Sequence, residues 1–137
     1  MNAPTDTNHS MTLSWSEDQA AAVRTADELD QRLDALDRQA RDREPFAVTL
    51  ERPDGKVLTL TVGRKRSIVN YMASLDPPYY TSYDPESDES GTIVYYFFGH
   101  YSESPADAAV PTQDAREAAR RFFETGERPE NIDWRMD

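Results

Sequence analysis

Few residues in this 137-residue chain have the chemistry to catalyse a reaction. Histidine occurs only at His9 and His100, and cysteine is absent. Disulfides, thiolate metal sites and a cysteine nucleophile are thereby excluded, as is a zinc centre built on several His or Cys ligands. Carboxylates are abundant, and Asp84, Glu86, Asp88 and Glu89 crowd into one short segment. In composition that cluster resembles a calcium loop, yet it lacks the glycine at the sixth position and the late glutamate that such loops use. Paired carboxylates for glycoside-type hydrolysis can be drawn at many spacings in an acidic chain, so no pair is singled out. Neither metal, cofactor nor enzymatic activity is expected.

What the carboxylates do build is a field of one sign. From Ser67 to Ala115 there is no Lys or Arg, while Asp76, Asp84, Glu86, Asp88, Glu89, Glu103, Asp107 and Asp114 all fall there. All seven tyrosines lie in the same stretch. The formal charge of -11 is therefore concentrated in the middle of the chain, because acids and bases nearly balance on either side. A concentrated field speeds the approach of a basic partner, and tyrosine is a favoured anchor of contact surfaces. Nucleic acid, whose phosphates dominate its binding, is excluded as a direct partner.

These residues must be positioned by a small fold. The length suits one domain, and 14 aromatic residues lift the composition out of the disordered range despite 37% apolar content. Residues 1–10 read as a flexible tail and residues 11–137 as a single domain. The opening segment has neither the basic start nor the apolar run of a secretory signal, and no later run suits a bilayer span. A soluble cytoplasmic protein is expected.

Helical spacing of Ala26, Leu29, Leu33, Leu36 and Ala40, opened by a capping box at Thr25 and Glu28, predicts the first helix. Glu28 with Arg32, Asp34 with Arg38 and Asp37 with Arg41 are acid-before-base pairs four apart, read as a solvated face. Alternation at Phe46, Val48, Leu50 and at Leu58, Leu60, Val62, across Arg52-Pro53-Asp54-Gly55, predicts a hairpin on a type I turn. Arg64-Lys65-Arg66 reads as a solvated turn. Strands are expected at 11–15, 67–72, 79–83, 92–98 and in the tail around Trp134, with 92–98 as a central strand. A last helix runs from a Thr112 cap to Gly126, with Ala115, Ala118, Ala119 and Phe122 inside. Trp15, Phe122 and Trp134 read as core. The fold class is α+β: an antiparallel sheet of about five to six strands with an N-terminal and a C-terminal helix packed on it.

The last third carries a resemblance. Gly99-His100-Tyr101-Ser102-Glu103-Ser104-Pro105, Val110-Pro111, Ala115-Arg116-Glu117-Ala118, then Phe122 through Pro129 and Ile132-Asp133-Trp134, resembles the Imm1 family of bacterial immunity proteins. The earlier helix opening at Thr25 and the segment Ser67-Ile68-Val69-Asn70-Tyr71 fit the same pattern. The resemblance implies a small α+β protein of a polymorphic toxin system that binds a cognate toxin, often a nucleic-acid deaminase, and neutralises it.

Such a toxin has a basic cleft for phosphates, which an acidic, tyrosine-lined surface can occlude. The expected toxin-binding residues are Tyr79, Tyr80, Tyr83, Asp84, Glu86, Asp88 and Glu89, extended by Tyr101 and Glu103. Two alternatives stand beside this reading: an acidic scaffold or regulatory module for an endogenous basic protein, and a carboxylate-based hydrolase.

Overall fold

A computed structural model gives the structure of residues 10–137. The expected tail at residues 1–10 lies, but for Ser10, outside the described residues. Ten strands and two α-helices follow in the order β1 (Met11–Ser16), β2 (Gln19–Val23), α1 (Ala26–Arg41), β3 (Phe46–Glu51), β4 (Val57–Val62), β5 (Arg66–Met72), β6 (Tyr79–Tyr83), β7 (Thr92–Phe97) and β8 (His100–Pro105). A 3-10 turn (Ala106–Ala108), β9 (Ala109–Pro111), α2 (Thr112–Thr125) and β10 (Asp133–Met136) complete the chain.

The class is α+β as expected, but the sheet has ten strands rather than five to six. Its main path runs β10-β6-β5-β4-β3-β1-β2, and all these neighbours are antiparallel. The surplus over expectation comes from elements with weak strand signals. β2 is Gln-Ala-Ala-Ala-Val, with few β-branched residues, and pairs β1 at the sheet edge. β8 is polar and ends in proline, and β9 is three residues long against the start of β5. In each case partner strands, rather than intrinsic preference, decide the conformation.

The core follows from alternation. Val48, Leu50, Leu58, Leu60, Val69 and Tyr71 point to one face, where both helices cover them. Leu29, Leu33, Leu36 and Ala40 supply the α1 side, and Ala115, Ala119, Phe122 and Phe123 the α2 side. Trp15 and Trp134 pack against this cluster at its rim. Burying a side chain of this size contributes about 1.5–3 kcal/mol.

The helix ends show where the sequence reading holds and where it shifts. Thr25 caps α1 by accepting from the Glu28 N–H at 3.1 Å, while the Glu28 carboxylate accepts from the Arg24 N–H at 2.7 Å. Asp37 keeps its expected partner Arg41 at 2.6 Å, but it is buried rather than solvated, because it also accepts from the Gly63 N–H at 2.8 Å. Asp34 turns instead to Arg116 of α2 at 2.8 Å. Gly126 closes α2 in the left-handed conformation, φ 76°.

Thr112 does not cap α2. Its hydroxyl donates to the Arg64 carbonyl at 2.8 Å, so it ties the helix start to the β4–β5 turn.

β7 is the largest departure. Its composition predicts a central strand, yet no residue in it is fully buried. It forms a hairpin with β8 and meets the main path through one parallel pairing, Phe46 with Tyr96, and the bond from the Tyr96 N–H to the Pro45 carbonyl at 3.0 Å. An aromatic run suits a two-sided contact surface as well as a core, and composition does not separate the two.

Candidate functional site

The sheet face turned away from the helices is open. Thr49 and Glu51 of β3, Val57 and Thr59 of β4, and Asn70 and Met72 of β5 alternate with the buried set and form the floor of a groove of about 700 Å³. Tyr95 and Phe97 of β7, Phe98 and Ser102 wall one side, while Leu75 and Tyr79 stand at the other. Ile68, Ala108 and Ala109, with Ile93 and Tyr95 packed on them, form a small separate apolar cluster beneath the hairpin. Along the floor the Asn70 amide donates to Thr81 Oγ1 at 2.9 Å, and the Thr81 hydroxyl reaches the Asp137 carboxylate at 2.9 Å.

The hairpin that makes the wall turns on Phe98 and Gly99, both at positive φ, 50° and 81°. Two consecutive positive-φ residues are the signature of a type I′ turn, in which Asn-Gly is the ordinary choice. A phenylalanine there is an outlier. Its ring stacks on Phe97 with centroids 4.8 Å apart, and Phe97 is 38% exposed.

The expected contact residues separate into three groups. Tyr79 lies at the groove, 36% exposed, and its hydroxyl donates to the Leu75 carbonyl. Tyr80 points to the opposite face, against Tyr71 and beneath the Arg128 guanidinium at 4.3 Å, and Tyr83 lies under Arg135 at 3.8 Å. Both rings are half-buried and carry a cation of the chain's own. Tyr101 and Glu103 sit on β8, where the Tyr101 hydroxyl donates to the Glu103 carboxylate at 2.7 Å and Tyr101 is 59% exposed. That hydrogen bond raises the Tyr101 pKa above its ordinary value.

The acidic loop leaves the end of β6 remote from Tyr79, about 13 Å along the strand at 3.3 Å per residue. Asp84 is committed within the molecule: it pairs with Arg66, and it accepts from the Glu86 N–H at 3.0 Å. The Glu86 backbone bond and then the Arg66 guanidinium hold its carboxyl below the usual Asp range. Arg66 also donates to the Ala109 carbonyl at 2.8 Å, so the basic trio is in part a structural anchor rather than a solvated turn. Glu86, Asp88 and Glu89 are exposed and make no ion pair among the described residues. A carboxylate held ionised, as Asp84 is, suits charge contact rather than proton donation at neutral pH.

The groove's own residues were missed as a site by the sequence reading. Their signal is the half-polar register opposite the buried positions in three adjacent strands, Thr49-Glu51, Val57-Thr59 and Asn70-Met72, which marks a sheet face that no helix covers.

Among the described residues no group of three or more His, Asp or Glu side chains is placed to hold a metal ion, and no helix is long and apolar enough to cross a membrane. No curated protein sequence matches the chain. The sequence pattern of the family described as Immunity protein Imm1, by contrast, matches residues 17–136, from the β1–β2 turn to the end of β10. The chain belongs to the Imm1 family of immunity proteins.

Proposed function

We propose that the protein is an immunity protein of a polymorphic toxin system, which binds a cognate toxin and neutralises it by covering the active-site cleft. Family membership supports the neutralising role. The observation that carries the binding mode is the set of uncompensated carboxylates Glu86, Asp88 and Glu89, exposed on one loop with no Lys or Arg paired to them. A toxin that acts on nucleic acid, a deaminase in the reading that the family resemblance favours, needs a basic cleft for phosphates. Carboxylates meet that cleft in place of phosphates, and the exposed Tyr101–Glu103 pair offers a second acidic, aromatic contact. The domain 11–137 acts as one unit in this reading, in the cytoplasm, without a cofactor.

The test is a triple reversal, Glu86→Lys, Asp88→Lys and Glu89→Lys, which spares Asp84 because that residue holds the loop. Association with the cognate toxin is expected to slow at least about 10-fold at low salt, and the deficit to shrink at high salt. Circular dichroism stays that of the wild type. Undiminished association and full protection of cells by the triple variant would remove this loop from the interface.

A further inference from the structure

We infer that the groove on the open sheet face is the anchoring pocket for the toxin, and that it receives an arginine or lysine side chain carried on an apolar-flanked segment of that protein. This rests on the toxin-binding reading and adds the partner chemistry that the acidic loop does not specify.

Three observations converge on it. The groove is lined by aromatic rings, Tyr79, Tyr95, Phe97 and Phe98, and its charged residues are the carboxylates Glu51 and Asp137, with no Lys or Arg. Aromatic faces and carboxylates together favour a cation whose stem is apolar, through ring-face attraction, charge and packing. Elsewhere in the molecule the half-buried rings of Tyr80 and Tyr83 are already covered by internal guanidinium groups, Arg128 and Arg135. Among the described residues no guanidinium lies over Tyr79, Tyr95, Phe97 or Phe98, so the same chemistry is open there to a partner's.

The third observation is the cost the chain bears to build the wall. Phe98 occupies a left-handed position, φ 50°, where asparagine would sit without strain. Its ring is only half-buried, and it stacks on Phe97, which is itself exposed. Strain retained for a ring that packs incompletely in the free protein fits a ring whose packing is completed by a partner.

The measurement is the affinity of the full chain for its catalytically inactivated cognate toxin, by calorimetry, for wild type, Phe98→Asn and Glu51→Lys. Phe98→Asn relieves the turn, so its unfolding midpoint stays at or above that of the wild type while Kd rises at least about 10-fold, which corresponds to 1.4 kcal/mol. Glu51→Lys raises Kd by a similar factor and more at low salt than at high salt. A photo-crosslinker at position 57 on the groove floor captures a toxin peptide containing Lys or Arg. Wild-type affinity in both variants, or a captured peptide with neither Lys nor Arg, overturns the inference and leaves the immunity reading intact. A groove occupied by a second copy of this chain is recognised by a dimer that Phe98→Asn dissociates, and it also overturns the inference. Failure of the wild type itself to bind the toxin overturns both readings.

Discussion

Gly63 shows how one residue fixes the relation between a helix and the sheet. Its φ is +105°, and a Cβ there would stand 2.7 Å from the Ala40 Cβ and 3.3 Å from the Ala40 carbonyl carbon, at the end of α1. Its N–H is held by the buried Asp37 carboxylate, which Arg41 neutralises. Any side chain at this position therefore meets both backbone strain and the helix itself. Gly63→Ala is expected to lower unfolding free energy by about 2–6 kcal/mol in urea titration, from one strain term and one overpacking term of about 1–3 kcal/mol each. Wild-type stability in that variant would mean that α1 shifts freely at its end, contrary to the close approach.

At the scale of elements, the acidic loop is a presented surface because it is anchored. The Asp84 N–H donates to the Asp107 carbonyl at 2.8 Å, its side chain pairs with Arg66, and the Ala106 N–H donates to the Gly91 carbonyl at 2.9 Å. The ends of the loop are fixed while Glu86, Asp88 and Glu89 face water. The Asp84 carboxyl is depressed in the fold, so its stabilising contribution is complete above the unfolded value near 3.9 and is lost as pH falls through the lower folded value. The difference in thermal midpoint between wild type and Asp84→Asn is therefore expected at pH 7 and to close below about pH 4. A difference that persists unchanged to pH 2 would assign the anchoring to packing rather than to charge.

Much of the element layout was legible in the sequence. Both helices, the β3–β4 hairpin and the strands at β5, β6 and β10 follow from periodicity and turn residues, and the Gly55 N–H bonds the Arg52 carbonyl at 2.9 Å as the Pro-Asp-Gly turn requires. What stayed hidden depends on pairing between distant segments. The aromatic run of β7 carries the same composition whether it fills a core or walls a groove, and Arg66 reads as solvated until Asp84, 18 residues later, is brought beside it. The tyrosines of 79–83 were legible as a cluster, but strand alternation sends Tyr80 to the helix-covered face and Tyr79 to the open one.

At the scale of the whole molecule, the two faces of the sheet have different tasks. The helices seal one with Leu29, Leu33, Phe122 and their neighbours, and the inter-helix ion pairs of Arg116 and Arg120 with Asp30 brace that side. The other face keeps the groove, the acidic loop leaves the far end of β6, and Tyr101 and Glu103 alternate with the groove-lining Ser102 on β8. In the proposed reading the formal charge of -11 would draw a basic partner in at long range, and the apolar contacts of the groove would then hold it. The most direct measurement is the residual activity of a cognate toxin, titrated with the purified full chain. Activity is predicted to fall linearly to near zero at one equivalent of the chain, with the substrate unaltered by the chain alone. Full toxin activity in the presence of a large excess of the folded chain would contradict the account.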